Sequence, residues 1–371
     1  MNHFGVYIHI PFCLGKCPYC DFYSLPHREG DMSRLVRALL SEGEMARRAL
    51  SIPGEVDSWY VGGGTPSRLP AELLDELVGG LAGAFPLSGD GESTVEANPE
   101  DITPAFLEKV TELGFTRLSL GVQSLRPRIL AALGRRTSRE KNLDALELVK
   151  DKWQGSLSVD LIYGLAEGGL SGWLADLEEA LQFSPQHISA YELTLEEGSP
   201  LEGLKGEDEL CREMFLSAHR LLEERGYEHY EISNYALPQS RSKHNMNYWL
   251  GGDYLGLGPS SASFVGGERF GNPPDLDRYL SDVFRGSPPT CWRERLAGDR
   301  RGREALILAL RLGEGVEMDG FSRVHEIDIE GMVNRELAPY FESGLVEIED
   351  GRLRLTLEGM LLSDEVFGGI V

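Results

Sequence analysis

Apolar, β-branched runs alternate with amphipathic stretches along the first two-thirds of the chain, the pattern of βα units wound around a parallel sheet. The candidate strands are Gly5 to Ile10, Ser58 to Val61, Ser93 to Ala97, Arg117 to Val122, Ser156 to Ile162 and Gln186 to Leu193. Leu35, Val36, Leu39 and Leu40 fall on one face of a helix predicted from about Met32 to Leu50. Further helices are predicted near Ala71 to Ala84, Pro104 to Leu113, Ser138 to Val149, Ser171 to Gln182 and Glu207 to Arg225. Six such units predict an incomplete α/β barrel of (β/α)6 type over residues 1–235. In parallel barrels the chemistry sits at the C-terminal strand ends, so the residues just after each strand are the ones to inspect.

Past the sixth strand the pattern changes. Tyr227 to Phe264 is rich in aromatics, and Asn272 to Arg303 carries the pairs Pro273-Pro274 and Pro288-Pro289, which read as a connection. Residues 236–300 are therefore expected to form an aromatic-rich extension and linker. From residue 301 to 371 come the helix REALILALRL, an amphipathic segment near Ile329 to Phe341, and LVEIEDGRLRLT, whose Asp350-Gly351 suits a tight hairpin turn. Helices followed by a hairpin predict a small α+β domain resembling a winged helix. That module often binds DNA, but from Arg301 onward this one has 7 Arg and no Lys against 15 Asp plus Glu.

The whole chain carries a formal charge of −24, which argues against a phosphate-backbone partner. Its 371 residues, 41% of them hydrophobic, suffice for a large domain and a small one. No apolar run approaches the ~18 residues that span a bilayer, and the N-terminus lacks a basic region followed by an apolar segment. A cytoplasmic location is expected, with the five Cys reduced.

The chemistry concentrates in YIHIPFCLGKCPYCDFYS, Tyr7 to Ser24, where Cys13, Cys17 and Cys20 stand in C-x3-C-x2-C spacing after the first strand. Three thiolates can ligate three irons of a [4Fe–4S] cluster and leave the fourth iron open. Zinc and a disulfide are the competing readings. Structural zinc usually takes two separated ligand pairs, and Cys211 and Cys291 stand alone. After the second strand, Gly62-Gly63-Gly64-Thr65-Pro66 lets the backbone approach a ligand. Glu96 ends the third strand in VEANPED, Gln123 ends the fourth in LGVQS, and Asp160 lies in the fifth in VDLIYGL. Each alone could be a loop residue or a cap; together they point at one mouth. Arg135, in LGRRTS, suits a carboxylate by charge and bidentate geometry, with Arg136 beside it as an alternative.

These motifs resemble the radical S-adenosylmethionine (SAM) enzymes, and HIPFC–KCPYCDF is similar to the oxygen-independent coproporphyrinogen III oxidase family and its heme-chaperone branch. The resemblance implies that the open iron is chelated by SAM and that an electron from the cluster cleaves the sulfonium to a 5′-deoxyadenosyl radical. It implies SAM contacts at Tyr7, Tyr19, Gly63, Gly64, Thr65, Glu96, Gln123, Arg135 and Asp160. Arg135 falls at the position of the family's carboxylate-binding Arg, with Gln123 and Asp160 expected at the ribose hydroxyls. Two departures bear on local loop shape: Thr137 stands where the family usually has His, and Ala166-Glu167-Gly168 replaces the common Pro-Gly-Gln.

His244, Asn245, Tyr248 and Trp249 reproduce the HNxxYW motif of the heme-chaperone branch. A neutral imidazole can ligate heme iron and flanking aromatics can cover a porphyrin face. The alternative is a packed aromatic cluster around a hydrogen-bonded His. His187, His219 and His229 lack such context and read as structural. Three features favour a chaperone over an oxidase. Phe22 stands where the oxidase adds a Cys, only 12 residues precede Cys13 where the oxidase has a substantial extension, and HNxxYW is present. The implied partners are heme, a heme-accepting protein that is soluble or membrane-associated, a reductant protein such as flavodoxin or ferredoxin, and a second copy of the chain. A third class is an iron–sulfur or zinc module used only for structure or electron transfer.

Overall fold

The first strand, β1 (Phe4–Ile10), runs into the Cys loop, which carries two short strands, β2 (Phe12–Cys13) and β3 (Leu25–Pro26), before helix α1 (Asp31–Ala49). Then follow β4 (Val56–Gly63), α2 (Ala71–Ala84), β5 (Leu87–Ala97), α3 (Pro104–Glu112), β6 (Arg117–Gln123), α4 (Pro127–Ala132) and α5 (Arg139–Lys152). β7 (Ser156–Tyr163), α6 (Gly169–Leu181), β8 (His187–Glu192) and α7 (Asp208–Glu224) complete the six predicted units. The computed structural model describes residues 3–26, 30–195, 198–199 and 201–371. The strands are buried on both faces, as helices on one side and packed interior on the other require: Val6, Ile8, Ile10, Val61, Val95, Leu118, Val159 and Ile188 are all fully enclosed.

Neighbouring strands from β1 through β8 pair in parallel. After α7 come β9 (Glu228–Glu231) and β10 (Asn234–Ala236), and the extension then supplies α8 (Lys243–Trp249), β11 (Asp253–Leu257), β12 (Ala262–Val265), β13 (Glu268–Gly271), α9 (Leu276–Phe284) and β14 (Trp292–Arg295). Its strands enlarge the same sheet, whose order is β14-β13-β12-β11-β1-β4-β5-β6-β7-β8-β10-β9. β11 adds a further parallel strand beside β1, pairing Tyr7 with Gly256, and β12 to β14 continue antiparallel. The sheet is therefore an open barrel with one more parallel strand than the sequence predicts. DYLGL is too short, and too closely flanked by Gly251-Gly252 and Gly258, to announce itself as a strand.

Two buried carboxylates fasten the extension to the barrel. Glu42 on α1 accepts from the Gly258 amide at 2.8 Å, the Tyr279 hydroxyl at 2.7 Å and Asn272 Nδ2 at 2.6 Å. Burial pushes its carboxyl up to about 7 against those three donors. Glu92 on β5 pairs with Arg117 on β6 at 2.9 Å. It also accepts from Ser242 Oγ, while Arg117 donates to the carbonyls of Ser240 and Arg241. Ser242 is the N-cap of α8, so this ion pair holds α8 across the N-terminal end of the barrel.

The C-terminal segment comprises α10 (Asp299–Leu310), β15 (Val316–Glu317), α11 (Met318–His325), α12 (Ile329–Arg335), α13 (Ala338–Glu342), β16 (Val346–Glu349), β17 (Arg352–Leu355), α14 (Leu357–Leu361) and α15 (Ser363–Gly368). β16 and β17 form the predicted hairpin, with Asp350 and Gly351 both at positive φ as its two-residue turn demands. β15 pairs with β17, giving the three-stranded sheet of a winged-helix arrangement. Among the described residues, no helix is long and apolar enough to cross a membrane.

Candidate functional site

A cavity of about 510 Å³ opens at the C-terminal strand ends, and Cys13, Cys17 and Cys20 all line it. The three thiols are half-buried and form no disulfide. Burial raises the pKa of Cys13 and Cys20, a cost that a bound metal removes by stabilising the thiolates. The loop is closed by the Leu25 amide on the Pro11 carbonyl at 2.9 Å and the Cys20 amide on the Cys17 carbonyl at 3.1 Å. His9 braces it from below. Its Nε2 faces the Tyr23 carbonyl at 2.8 Å and must donate there, so Nδ1, at 2.9 Å, accepts from the Tyr7 hydroxyl.

The triple glycine is required by packing as well as by any ligand. Gly63 sits at φ 109°, and a Cβ there would lie 2.5 Å from His9 Nδ1. A Cβ on Gly64 would lie 2.7 Å from the Pro11 carbonyl carbon, and the Gly64 amide already donates to Ile10 at 2.7 Å. The Cys loop and the GGGTP turn thus pack backbone against backbone.

The opposite wall is polar. Glu96 accepts from the Tyr60 hydroxyl at 2.8 Å and the Gly63 amide at 3.0 Å, and burial raises its carboxyl to about 7. A carboxylate so placed is stabilised by an incoming cation. Asp160, also raised by burial, accepts from Ser119 Oγ at 3.0 Å. Gln123 ends β6 at φ 66°, a strained conformation that aims the strand end at the cavity. Arg135 donates through one terminal nitrogen to Asn98 Oδ1 at 2.8 Å and to the Gly121 carbonyl at 2.7 Å. Its Nε, Arg68 Nε and Glu100 Oε2 are buried without partners, and all three residues line the cavity. Orphaned donors and an acceptor beside an unneutralised carboxylate fit a ligand carrying both charges.

Of the residues predicted to meet SAM, all but Tyr7 line this cavity: Tyr19, Gly63, Gly64, Thr65, Glu96, Gln123, Arg135 and Asp160. Tyr7 stands one layer deeper, bonded to His9. Among the described residues, no three His, Cys, Asp or Glu side chains converge on a point that would hold a single ion. A cluster asks for something different, one thiolate per iron around a loop. Sequence reasoning passes over Asn98, which joins Thr65 to Arg135, because Asn-Pro reads as an ordinary turn. It also passes over Tyr60 and Tyr191, which look like plain strand residues. The departure at Thr137 is absorbed locally, its hydroxyl donating to Asn142 Oδ1 at 2.6 Å.

The HNxxYW stretch lies elsewhere. α8 lies across the N-terminal end of the barrel, and His244 points up its interior beneath Tyr60 and Tyr7, with ring centroids 5.2 and 6.5 Å away. His244 is 1% exposed; Nδ1 bonds Ser58 Oγ and Nε2 the Tyr248 hydroxyl, each at 2.8 Å. Burial lowers its pKa to about 3. An axial ligand needs a ring nitrogen that is free and facing heme, whereas both ring nitrogens of His244 are engaged here, the arrangement of a packed, hydrogen-bonded histidine. Tyr248 packs edge-on to Tyr254 at 4.6 Å, Trp249 lies under Arg311, and the Asn245 amide donates to the capping Ser242 Oγ. His187, bonded to Ser158 Oγ and the Tyr230 hydroxyl, is fully buried.

The Radical SAM superfamily pattern matches residues 7–168, and the HemN C-terminal domain pattern matches residues 296–362. Heme chaperone HemW of Mycobacterium tuberculosis is 34% identical over 374 residues, an alignment covering 98% of this chain and 93% of its own. The Bacillus subtilis HemW is 30% identical, with 99% of each chain covered. The mitochondrial radical S-adenosyl methionine domain-containing protein 1 of Danio rerio is 32% identical over 99% of this chain and 86% of its own. In fold, the Escherichia coli coproporphyrinogen III oxidase HemN superposes with a TM-score of 0.85 at 21% identity, over all of this chain and 90% of that one. Full-length similarity at this level, with the cysteine loop and GGGTP turn built as described, places the chain in the HemW family of radical SAM proteins.

Proposed function

We propose that this protein is a cytoplasmic radical SAM heme chaperone, which binds a [4Fe–4S] cluster, SAM and heme and passes the heme to a recipient protein. The observation that carries the cofactor reading is the convergence of Cys13, Cys17 and Cys20 with Glu96, Gln123, Arg135 and Asp160 on one cavity. In this reading the three thiolates hold the cluster, whose open iron and low-potential electron make SAM reducible. Arg135 takes the SAM carboxylate, Glu96 and the GGGTP turn take its ammonium, and Asp160 and Gln123 receive the ribose hydroxyls. Tyr19, Gly64 and Thr65 enclose the ligand. Phe22 is 60% exposed beside Cys20 and lines the mouth, an apolar surface next to the cluster loop. A flavodoxin- or ferredoxin-like reductant and a second copy of the chain complete the partners.

Heme transfer is carried by the full-length similarity to the HemW chaperones. The competing reading, decarboxylation of coproporphyrinogen III, draws on the likeness of fold to HemN. The test is to reconstitute the cluster anaerobically and supply hemin in one arm and coproporphyrinogen III with SAM and reductant in the other. Retained heme without tetrapyrrole turnover supports the chaperone; decarboxylated product without retained heme overturns it.

A further inference from the structure

Between the anion-binding Arg135 and the cluster-loop residue Cys13 runs an unbroken set of three hydrogen bonds. Arg135 Nη2 meets Asn98 Oδ1 at 2.8 Å, Asn98 Nδ2 meets Thr65 Oγ1 at 3.1 Å, and Thr65 Oγ1 meets Cys13 Sγ at 3.4 Å. The direction of the first two bonds is fixed by chemistry, and that of the third by the state of the sulfur. A guanidinium only donates, so the Asn98 amide must turn its oxygen to Arg135 and its nitrogen to Thr65. That nitrogen occupies one acceptor position of the Thr65 hydroxyl and leaves the hydroxyl proton available to the sulfur. Thr65 is 2% exposed, which keeps water from offering the proton another acceptor. A metal-bound thiolate carries no proton, so it can only accept.

We propose that Asn98 is a positioning residue: oriented by Arg135, it fixes the Thr65 hydroxyl as a donor to the sulfur of Cys13 and thereby raises the reduction potential of the cluster that sulfur holds. The inference rests on the reading of Cys13 as a cluster ligand. Hydrogen bonds to cluster sulfurs stabilise the more negative, reduced state, so each one moves the potential upward. Without Asn98, the Thr65 hydroxyl is free to rotate and the bond to sulfur is only partly populated. The arrangement also gives Arg135 two duties, since the guanidinium proposed to receive a carboxylate is the group that orients the amide.

The test uses the full chain reconstituted anaerobically, as wild type, Thr65→Val, Thr65→Ser and Asn98→Leu. Iron and sulfide are measured first, then the potential by a dye-mediated titration followed by electron paramagnetic resonance, without SAM. Thr65→Val is expected to have a more negative potential than wild type, Asn98→Leu to fall between the two, and Thr65→Ser to match wild type. The iron–thiolate stretching frequency in resonance Raman should rise in Thr65→Val and Asn98→Leu. Thr65→Val keeps the side-chain shape, so the proposal stays open to refutation even where Asn98→Leu fails to assemble a cluster. Full cluster content with an unchanged potential in Thr65→Val, or a shift in Thr65→Ser as large as in Thr65→Val, overturns the relay. Absence of iron and sulfide from the wild type overturns the cluster reading itself, and the relay with it.

Discussion

The guanidinium carbon of Arg311, at the end of α10, lies 4.5 Å from the centre of the Trp249 ring on α8. This contact joins the helix at the base of the barrel to the C-terminal segment. It is reinforced nearby by the Ile232 amide on the Arg311 carbonyl at 3.2 Å and the Gly313 amide on the Tyr230 carbonyl at 3.0 Å. Cation–π pairs contribute about 0.5–2 kcal/mol, the larger value when desolvated. Trp249→Ala is therefore expected to loosen the C-terminal segment beyond its local cost. Limited proteolysis should cut near residues 296–312 faster in the variant, with cluster content unchanged. Equal cutting rates would show that the joint lies elsewhere.

His244 gives a second prediction. Its two hydrogen bonds to Ser58 and Tyr248 leave both hydroxyls stranded when the ring is removed, a penalty of about 1–3 kcal/mol for each buried group left unsatisfied. His244→Ala should lower the urea midpoint measurably while the heme retained per folded chain stays at the wild-type level. Ser58→Ala should be milder, and the double variant less than additive because the pair shares one bond. Loss of heme at unchanged stability would restore His244 as a ligand.

The pH dependence of stability isolates His229. Burial lowers its pKa from the ordinary 6.5 to about 4, and its ring stacks on Tyr235 at 4.1 Å. The unfolded chain therefore binds a proton that the folded chain refuses between those values. The stabilisation is fully present above pH 6.5 and is lost as pH falls towards 4, at a slope of about 1.4 kcal/mol per pH unit. Glu42, whose folded pKa is raised, acts with the opposite sign, so the useful quantity is the difference between wild type and His229→Phe. The unfolding free energy of the wild type minus that of His229→Phe should fall steadily from pH 6.5 to pH 4.5. Parallel curves would mean that His229 titrates normally.

Arg135 carries a fourth prediction. A charge-assisted hydrogen bond to a carboxylate contributes about 1.5–3 kcal/mol, so Arg135→Ala should weaken SAM binding by roughly ten- to a hundred-fold. Equilibrium dialysis on the reconstituted protein reads this without any turnover. Arg136→Ala should have little effect, because Arg136 lies exposed at the mouth against Gly15. The reverse order of effects would move the carboxylate site to Arg136.

The barrel was legible because strands such as Val6–Ile10 and Leu118–Val122 carry a branched apolar residue at every second position and are separated by helices with one apolar face. The cavity was legible because Cys13, Gly63, Glu96, Gln123 and Asp160 recur at successive strand ends. What pattern could not show was depth. HNxxYW is written with the residues of a heme pocket, yet Ser58 lies 186 positions before His244, and only the fold brings its hydroxyl to the ring. Asn98 was hidden for a similar reason: its meaning depends on Thr65 and Arg135, 33 and 37 positions away. β11 was missed because five residues hemmed in by Gly251-Gly252 and Gly258 carry little strand signal, and its partner β1 lies more than two hundred positions earlier.

The central claim is that one chain holds a cluster at Cys13, Cys17 and Cys20 and also carries heme. The most direct measurement is of heme and non-heme iron on a single gel-filtered sample, after anaerobic reconstitution and addition of hemin, for wild type and Cys17→Ser. Wild type should elute with about four non-heme irons and about one heme per chain, and Cys17→Ser should lose the cluster. Wild type eluting without heme, or Cys17→Ser retaining a full cluster, would contradict the account.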